Sequence, residues 1–212
     1  MKFFIYIFIS VFVISCVNQP QTLEIDDTPQ QYGHLKLPNK VYHNIQNGDI
    51  ILRKGAGPLS AHLMLNTKEE YTHCGIIFKD NEKWMVIHSI GGEISNNNKD
   101  GIQTITLEKF VAPTADSTLF ICRPIFTDNA GDKVYNKGLE YLEIGYPFDH
   151  RFSLLTTDKL YCSEMLYHIF KDVNNGKNVF DIKKKHKSYM LMFSTFFKTK
   201  NFSPIYDMRE RL

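Results

Sequence analysis

Two apolar runs, Cys74-Gly75-Ile76-Ile77-Phe78 and Trp84-Met85-Val86-Ile87-His88, flank the polar stretch Lys79-Asp80-Asn81-Glu82. Branched and aromatic residues on either side of a short polar segment specify a β-hairpin, and with it an antiparallel sheet. A turn centred between Asp80 and Asn81 sets His73 directly opposite His88, with Cβ atoms about 5 Å apart. Alternation then puts His73, Gly75, Ile77, Trp84, Val86 and His88 on one face and sends Cys74 to the other. Gly75 leaves open space beside His73. The register matters, because a one-residue slip separates the two imidazoles.

The rest of the body mixes strands and helices without a regular βαβ alternation, so the fold class is α+β. Folding is expected to begin near Ile45. Asn47-Gly48 is a turn, and Asp49 to Arg53 reads as a strand. Pro58 to Asn66 is a short helix, Gly91 to Gly101 a polar loop, and Gln103 to Leu107 a strand leading into a short helix at Leu107 to Val111. Thr118 to Ile125 is a strand that Pro124 confines to an edge or an end. Asp132 to Ile144 is helical in pattern and stops at Gly145 and Pro147. Tyr189 to Phe197 fits a strand and a helix equally well.

The N-terminus reads differently. One lysine is followed by an apolar run to Ile14, too short for a span of about 20 residues and suited to the core of a secretory signal peptide, residues 1–15. It ends at Val13-Ile14-Ser15-Cys16, which resembles the lipobox of bacterial lipoproteins. That resemblance implies a lipidated Cys16 and an anchor in the bacterial cell envelope, on the periplasmic face or the outer membrane. Residues 16–44 are then a polar tether and residues 45–212 the folded domain. The net charge of +2 provides no field for nucleic acid.

Four cysteines at first suggest two disulfides or a metal site: Cys16, Cys74, Cys122 and Cys162. Cys74 and Cys122 read as packed strand residues, with a Cys74–Cys122 disulfide the alternative in an oxidising compartment. Cys162 is different. Lys159 to Val173 reads as a helix with Leu166, Ile169, Phe170 and Val173 as its apolar stripe and Ser163, Glu164, Tyr167 and Lys171 on the wet side. Cys162 falls at its start, where unpaired N–H groups and the helix dipole lower a thiol's pKa. The same groups can receive an oxyanion. A nucleophile, a base and a residue orienting the base form a generalised triad, and Cys162, His73 and His88 fit those roles in that order. The competing use of the three is a zinc site, though no close-spaced ligand pair supports it.

These residues resemble the YiiX/YaeF-like family of permuted papain-fold hydrolases, related to the NlpC/P60 enzymes. The likeness rests on Gly48-Asp49-Ile50-Ile51, Tyr71-Thr72-His73-Cys74-Gly75-Ile76-Ile77, Gly145-Tyr146-Pro147-Phe148-Asp149 and Leu160-Tyr161-Cys162-Ser163-Glu164, in the family's order. The resemblance implies a curled antiparallel sheet or small barrel packed on helices, with the nucleophile at a helix N-terminus. It implies Cys162 as nucleophile, His73 as base and His88 in the third role, where related enzymes often carry Glu. The reaction implied is amide or peptide hydrolysis through an acyl-thioester, without a cofactor or metal. The expected substrate is a small peptide or peptidoglycan fragment. Alternatives are a lipid acyl hydrolase or acyltransferase resembling lecithin–retinol acyltransferase, and a catalytically silent lipoprotein that binds envelope ligands. Asp49 and Asp149 read as turn residues, with Tyr146 and Asp149 as alternative cleft residues. Lys183 to Lys187 reads as a solvated face.

Overall fold

The computed structural model describes residues 35–95, 98–154, 156–185 and 188–211. The expected signal peptide, Cys16 and most of the tether lie outside them. Within them the order is α1 (Asn39–Asn44), β1 (Ile50–Arg53), α2 (Pro58–Thr67), β2 (His73–Asp80), β3 (Lys83–Ile90), β4 (Gly101–Thr106), α3 (Leu107–Val111), β5 (Leu119–Pro124), α4 (Ala130–Ile144), α5 (Cys162–Val173), β6 (Asp181–Lys185), β7 (Ser188–Met192) and β8 (Phe202–Asp207). Six strands form one antiparallel sheet in the order β4-β3-β2-β1-β5-β8, and β6 pairs with β7 separately. The α+β class and the antiparallel sheet packed on helices are as expected.

The two sheet faces bury different residues. Ile50, Leu52, Cys74, Ile76 and Ile87 pack under α4 and α5, with Leu166, Ile169 and Phe170 completing that core. Each of these α5 side chains is fully buried, stabilising the helix–sheet contact by about 1.5–3 kcal/mol apiece. Ile51, Ile77, Val86 and Ile121 face the other way, against Leu107, Phe110 and Val111 of α3. Leu37 and Val41 are buried in that second core. Ordered packing therefore begins before Ile45, because α1 lays Val41 on the sheet and ends what was read as a polar tether.

Three further differences have physical causes. In the hairpin Asp80 pairs with Lys83 and Ile76 with Ile87, so the turn is Asn81-Glu82, with Asn81 left-handed at φ 52°. The register is displaced by two residues, an even number, so each side chain keeps its expected face. Gly75 thereby comes opposite His88, and its surroundings are full: a Cβ there would lie 2.4 Å from Val86 Cγ1 and 3.3 Å from His88 Cβ. Second, Ser163 and Glu164 are buried rather than wet. Glu164 turns back to accept the Tyr161 N–H at 3.4 Å, as a residue in a helix's first turn can. Third, Cys74 and Cys122 are free thiols. They lie on the two strands flanking β1, opposite Leu52 and Ile50. Two strand spacings, about 9.5 Å, exceed the reach of a disulfide.

Tyr189 to Phe197 resolves into both readings, strand β7 followed by a 3₁₀ turn at Phe193–Phe197. Lys183 and Lys184 are exposed as expected, but on strand β6. Strand β8 reaches β5 through a bulge at Ile121/Cys122, with Pro204 paired to Cys122.

Candidate active site

The start of α5 is fixed from several sides. The Leu160 N–H donates to the Pro147 carbonyl at 2.9 Å, and the Ser89 hydroxyl of β3 donates to the Leu160 carbonyl at 2.5 Å. Asp149 is 1 % exposed and accepts from the N–H groups of Arg151 and Ser153 at 2.9 and 2.7 Å. It is a turn residue, the first of the two roles considered for it. Asp49 is likewise structural: it accepts the Gln46 N–H at 2.8 Å and binds Arg123 through both oxygens at 2.8 and 2.9 Å. Gly48, at φ 85°, packs against the Gly131 carbonyl so closely that a Cβ would stand 1.9 Å away, which accounts for glycine before that aspartate.

Cys162 is the first residue of α5. The Cys74 thiol, the Cys74 main-chain N–H and the Ser163 N–H all favour the charged form of the Cys162 sulfur. These donors, the Cys74 thiol foremost, together with the charge of Arg53, hold the thiol below its usual range against the opposing effect of burial. Burial and the neighbouring Cys162 push the Cys74 thiol the other way, far up, so that it stays protonated as the donor. Cys74 is thus more than a packed residue: its thiol acts on the Cys162 sulfur.

The histidines meet as expected, but diagonally. His73 Nε2 lies 3.0 Å from His88 Nδ1, a hydrogen bond between buried rings. His73 also stacks on Phe110, centroids 5.2 Å apart at 22°. With Nε2 engaged, Nδ1 is the nitrogen of His73 left for proton transfer. For Nδ1 to act as a base, the proton must sit on Nε2 and point to His88 Nδ1. His88 then carries its own proton on Nε2, a buried atom without a partner. Burial first, then the Arg53 charge and His88, hold His73 well below its usual range. Burial and Arg53 hold His88 at about 3. Both rings are neutral at physiological pH.

Among the described residues no hydrogen bond joins His73 to Cys162. They belong to the two faces of the sheet at the start of β2, and the strand places His73 next to the Cys74 that holds the sulfur. Nor do His73, His88 and Cys162 converge as metal ligands. Among the described residues the one such group is Glu93, Asp100 and His150, all exposed. There Asp100 accepts from the Gly92 and Phe148 N–H groups and from His150, bonds that tie the loop after β3 to the segment leading to α5.

Cys162 and Ser163 open on a cavity of about 570 Å³ with an apolar wall that includes Leu63, Phe152, Leu191 and Phe193, and with His62, His150 and Arg151 among its polar lining. A second cavity of about 640 Å³, beside Asn47, Trp84 and Arg123, holds neither the thiol nor either imidazole of the site. Tyr146 is absent from both linings. His62, His43 and His150 are exposed, and His168 is half-buried near Glu164 at 3.9 Å.

An antiparallel sheet backed by a helix that carries an activated cysteine at its first residue, downstream of a histidine strand, defines a papain-like cysteine hydrolase in permuted order. Residues 44–192 match the model of the permuted papain-like amidase family YaeF/YiiX, C92. The chain belongs to this family and is a cysteine hydrolase of the peptidase/amidase type. Its fold is similar to the crystal structure of the metalloprotein yiiX from Escherichia coli O157:H7, with a TM-score of 0.63 and 18% identity over 77% of this chain and 98% of that one. A search of curated proteins finds no match.

Proposed function

We propose that this chain is a lipid-anchored amidase of the bacterial cell envelope, acting on a small peptide or peptidoglycan fragment through an acyl-thioester on Cys162. The observation that carries this reading is the position of Cys162: first residue of α5 and open to the 570 Å³ cavity. In the reaction the sulfur attacks the scissile carbonyl, and N–H groups at the start of α5 receive the oxyanion. The C–N bond breaks to give the thioester and an amine. Water then cleaves the thioester, regenerating the thiol and releasing the acid. His73 moves the protons through Nδ1, and His88 keeps it in the useful tautomer. The apolar run ending at Cys16 supports the anchor and the envelope location.

The apolar wall of the cavity favours a second reading, a lipid acyl substrate brought close by the anchor. Incubation with peptidoglycan fragments and with phospholipid vesicles, beside Cys162→Ala, separates the two. Release of new amino groups that disappears in the variant supports the amidase. Release of fatty acid, or a long-chain acyl adduct on Cys162 in intact-mass spectra, supports the lipid reading. Absence of any thiol-dependent turnover would leave the silent binder.

A further inference from the structure

The loop that runs into α5 carries a guanidinium without a partner. Buried Asp149 accepts the Arg151 N–H at 2.9 Å and the Ser153 N–H at 2.7 Å through its carboxylate, and the Phe152 N–H at 3.2 Å through its carbonyl. The backbone at Arg151 is therefore fixed, while the residue is exposed on the wall of the 570 Å³ cavity that holds Cys162. Among the described residues no hydrogen bond, ion pair or ring contact engages the Arg151 side chain. The two histidines of the lining are already engaged. His62 Nε2 meets the Asn66 amide at 3.0 Å. His150 lies between two carboxylates, 3.0 Å from Asp100 and 3.6 Å from Glu93. Among the described residues the lining contains no Asp or Glu. The cavity thus combines an apolar wall with one uncompensated cation.

We propose that Arg151 is a specificity residue that receives a carboxylate of the substrate, so that the site takes amides carrying a free carboxylate beside an apolar side chain. This deepens the proposed function and rests on Cys162 as its nucleophile. A guanidinium presents paired N–H donors that match the two oxygens of a carboxylate. The apolar wall covers the hydrocarbon part of such a substrate and, by excluding water, strengthens the charge pair. The same lining disfavours a free amino group close to the scissile bond, since an ammonium would meet Arg151 and no acid. The carboxyl end of a short peptide, or an N-acylated amino acid, has the required chemistry. Arg151 holds the substrate away from the reacting atoms, so its loss raises KM more than it lowers kcat.

The test compares two alkylating probes of nearly the same shape: iodoacetate, which carries a carboxylate, and iodoacetamide, which does not. With either, the Cys162 sulfur forms the S–C bond as the C–I bond breaks and iodide leaves, so no turnover is needed. The readout is the ratio of the two rates at Cys162 at neutral pH, by peptide mass mapping on the full-length protein in detergent. Arg151→Gln is expected to lower the iodoacetate-to-iodoacetamide ratio about fivefold, the worth of one exposed charge pair, with the iodoacetamide rate within about twofold of native. Arg151→Lys, which keeps the charge, should hold the ratio within about twofold. Lys177→Gln, which removes an exposed charge beyond the far end of α5, should leave it unchanged. On the native protein, which needs no variant to fold, N-acetylleucine should slow labelling and N-acetylleucinamide should not. An unchanged ratio in Arg151→Gln overturns the inference, as does an equal fall in Lys177→Gln, an equal slowing of both probes, or equal protection by the acid and the amide. If Cys162 reacts with neither probe faster than Cys122, the proposed function falls and takes this inference with it. A reactive Cys162 with no preference for the carboxylate overturns this inference alone.

Discussion

Successive residues of β2 serve opposite sides of one site. His73 turns into a closed apolar setting, stacked on Phe110 and bonded to His88, and both residues are buried. Cys74 turns to the face under α5, where it meets a sulfur that opens on the cavity. The histidine side is dry and holds its groups uncharged. The thiol side gathers donors that favour charge. A sheet is suited to this division because its pleat separates neighbouring side chains by a full layer while keeping their backbones in register. The proposed proton-handling group and the proposed nucleophile can therefore be tuned separately.

The largest expected effect of breaking the histidine side falls on turnover. His73→Ala should reduce kcat by about 10²- to 10⁴-fold while leaving the fold intact by circular dichroism; an unimpaired kcat would remove His73 from the mechanism. Next is the dependence of stability on acid. His73 and His88 are depressed in the folded protein, His88 to about 3, whereas an unfolded histidine titrates near 6.5. Below about pH 6.5 the unfolded chain binds more protons, so stability falls as pH is lowered, by up to about 1.4 kcal/mol per pH unit for each ring. Urea midpoints between pH 6.5 and 4 should show this slope, and His88→Gln should reduce it by one ring's share.

Gly75→Ala sharpens the comparison at the point where both sides share one strand. The added methyl meets Val86 and the Ile87 carbonyl at 2.4 and 2.8 Å, an overpacking worth about 1–3 kcal/mol. Chemical denaturation should register it together with a loss of activity, since the crowding reaches His88. The smallest effect belongs to the thiol side. Cys74→Ala removes the thiol that most favours the charged form of the Cys162 sulfur and should slow alkylation of Cys162 by about fivefold, the equivalent of one modest bond. Cys122→Ala, two strands away, should not change it.

Much of this site was legible in the sequence, and the parts that were not share a cause. The hairpin and α5 announce themselves because their apolar residues repeat with the period of a strand and of a helix. The His73–His88 meeting holds in either register because the two differ by an even number of residues, and the rings meet diagonally instead of face to face. A helical wheel puts Glu164 on the wet side because it takes no account of end effects, where a side chain folds back onto unpaired N–H groups. α1 and β8 are short, and a proline stands beside or within each (Pro38, Pro204), which hides the periodicity. Arg53 carries no repeating pattern at all. Its place opposite His73 appears only with the β1–β2 register, and the setting of Cys74 likewise waits for α5 to be laid across its strand.

Strand β8 has a consequence for the protein in a crowd. It is the outer strand of the sheet, and an outer strand exposes unpaired backbone groups on which another chain can add. Here that edge holds Pro204, which has no N–H to donate, beside the bulge at Ile121/Cys122. A second copy aligning along β8 finds an interrupted and twisted row of partners in place of a flat one. The irregularity that made this strand hard to see is thus also a guard against edge-to-edge aggregation.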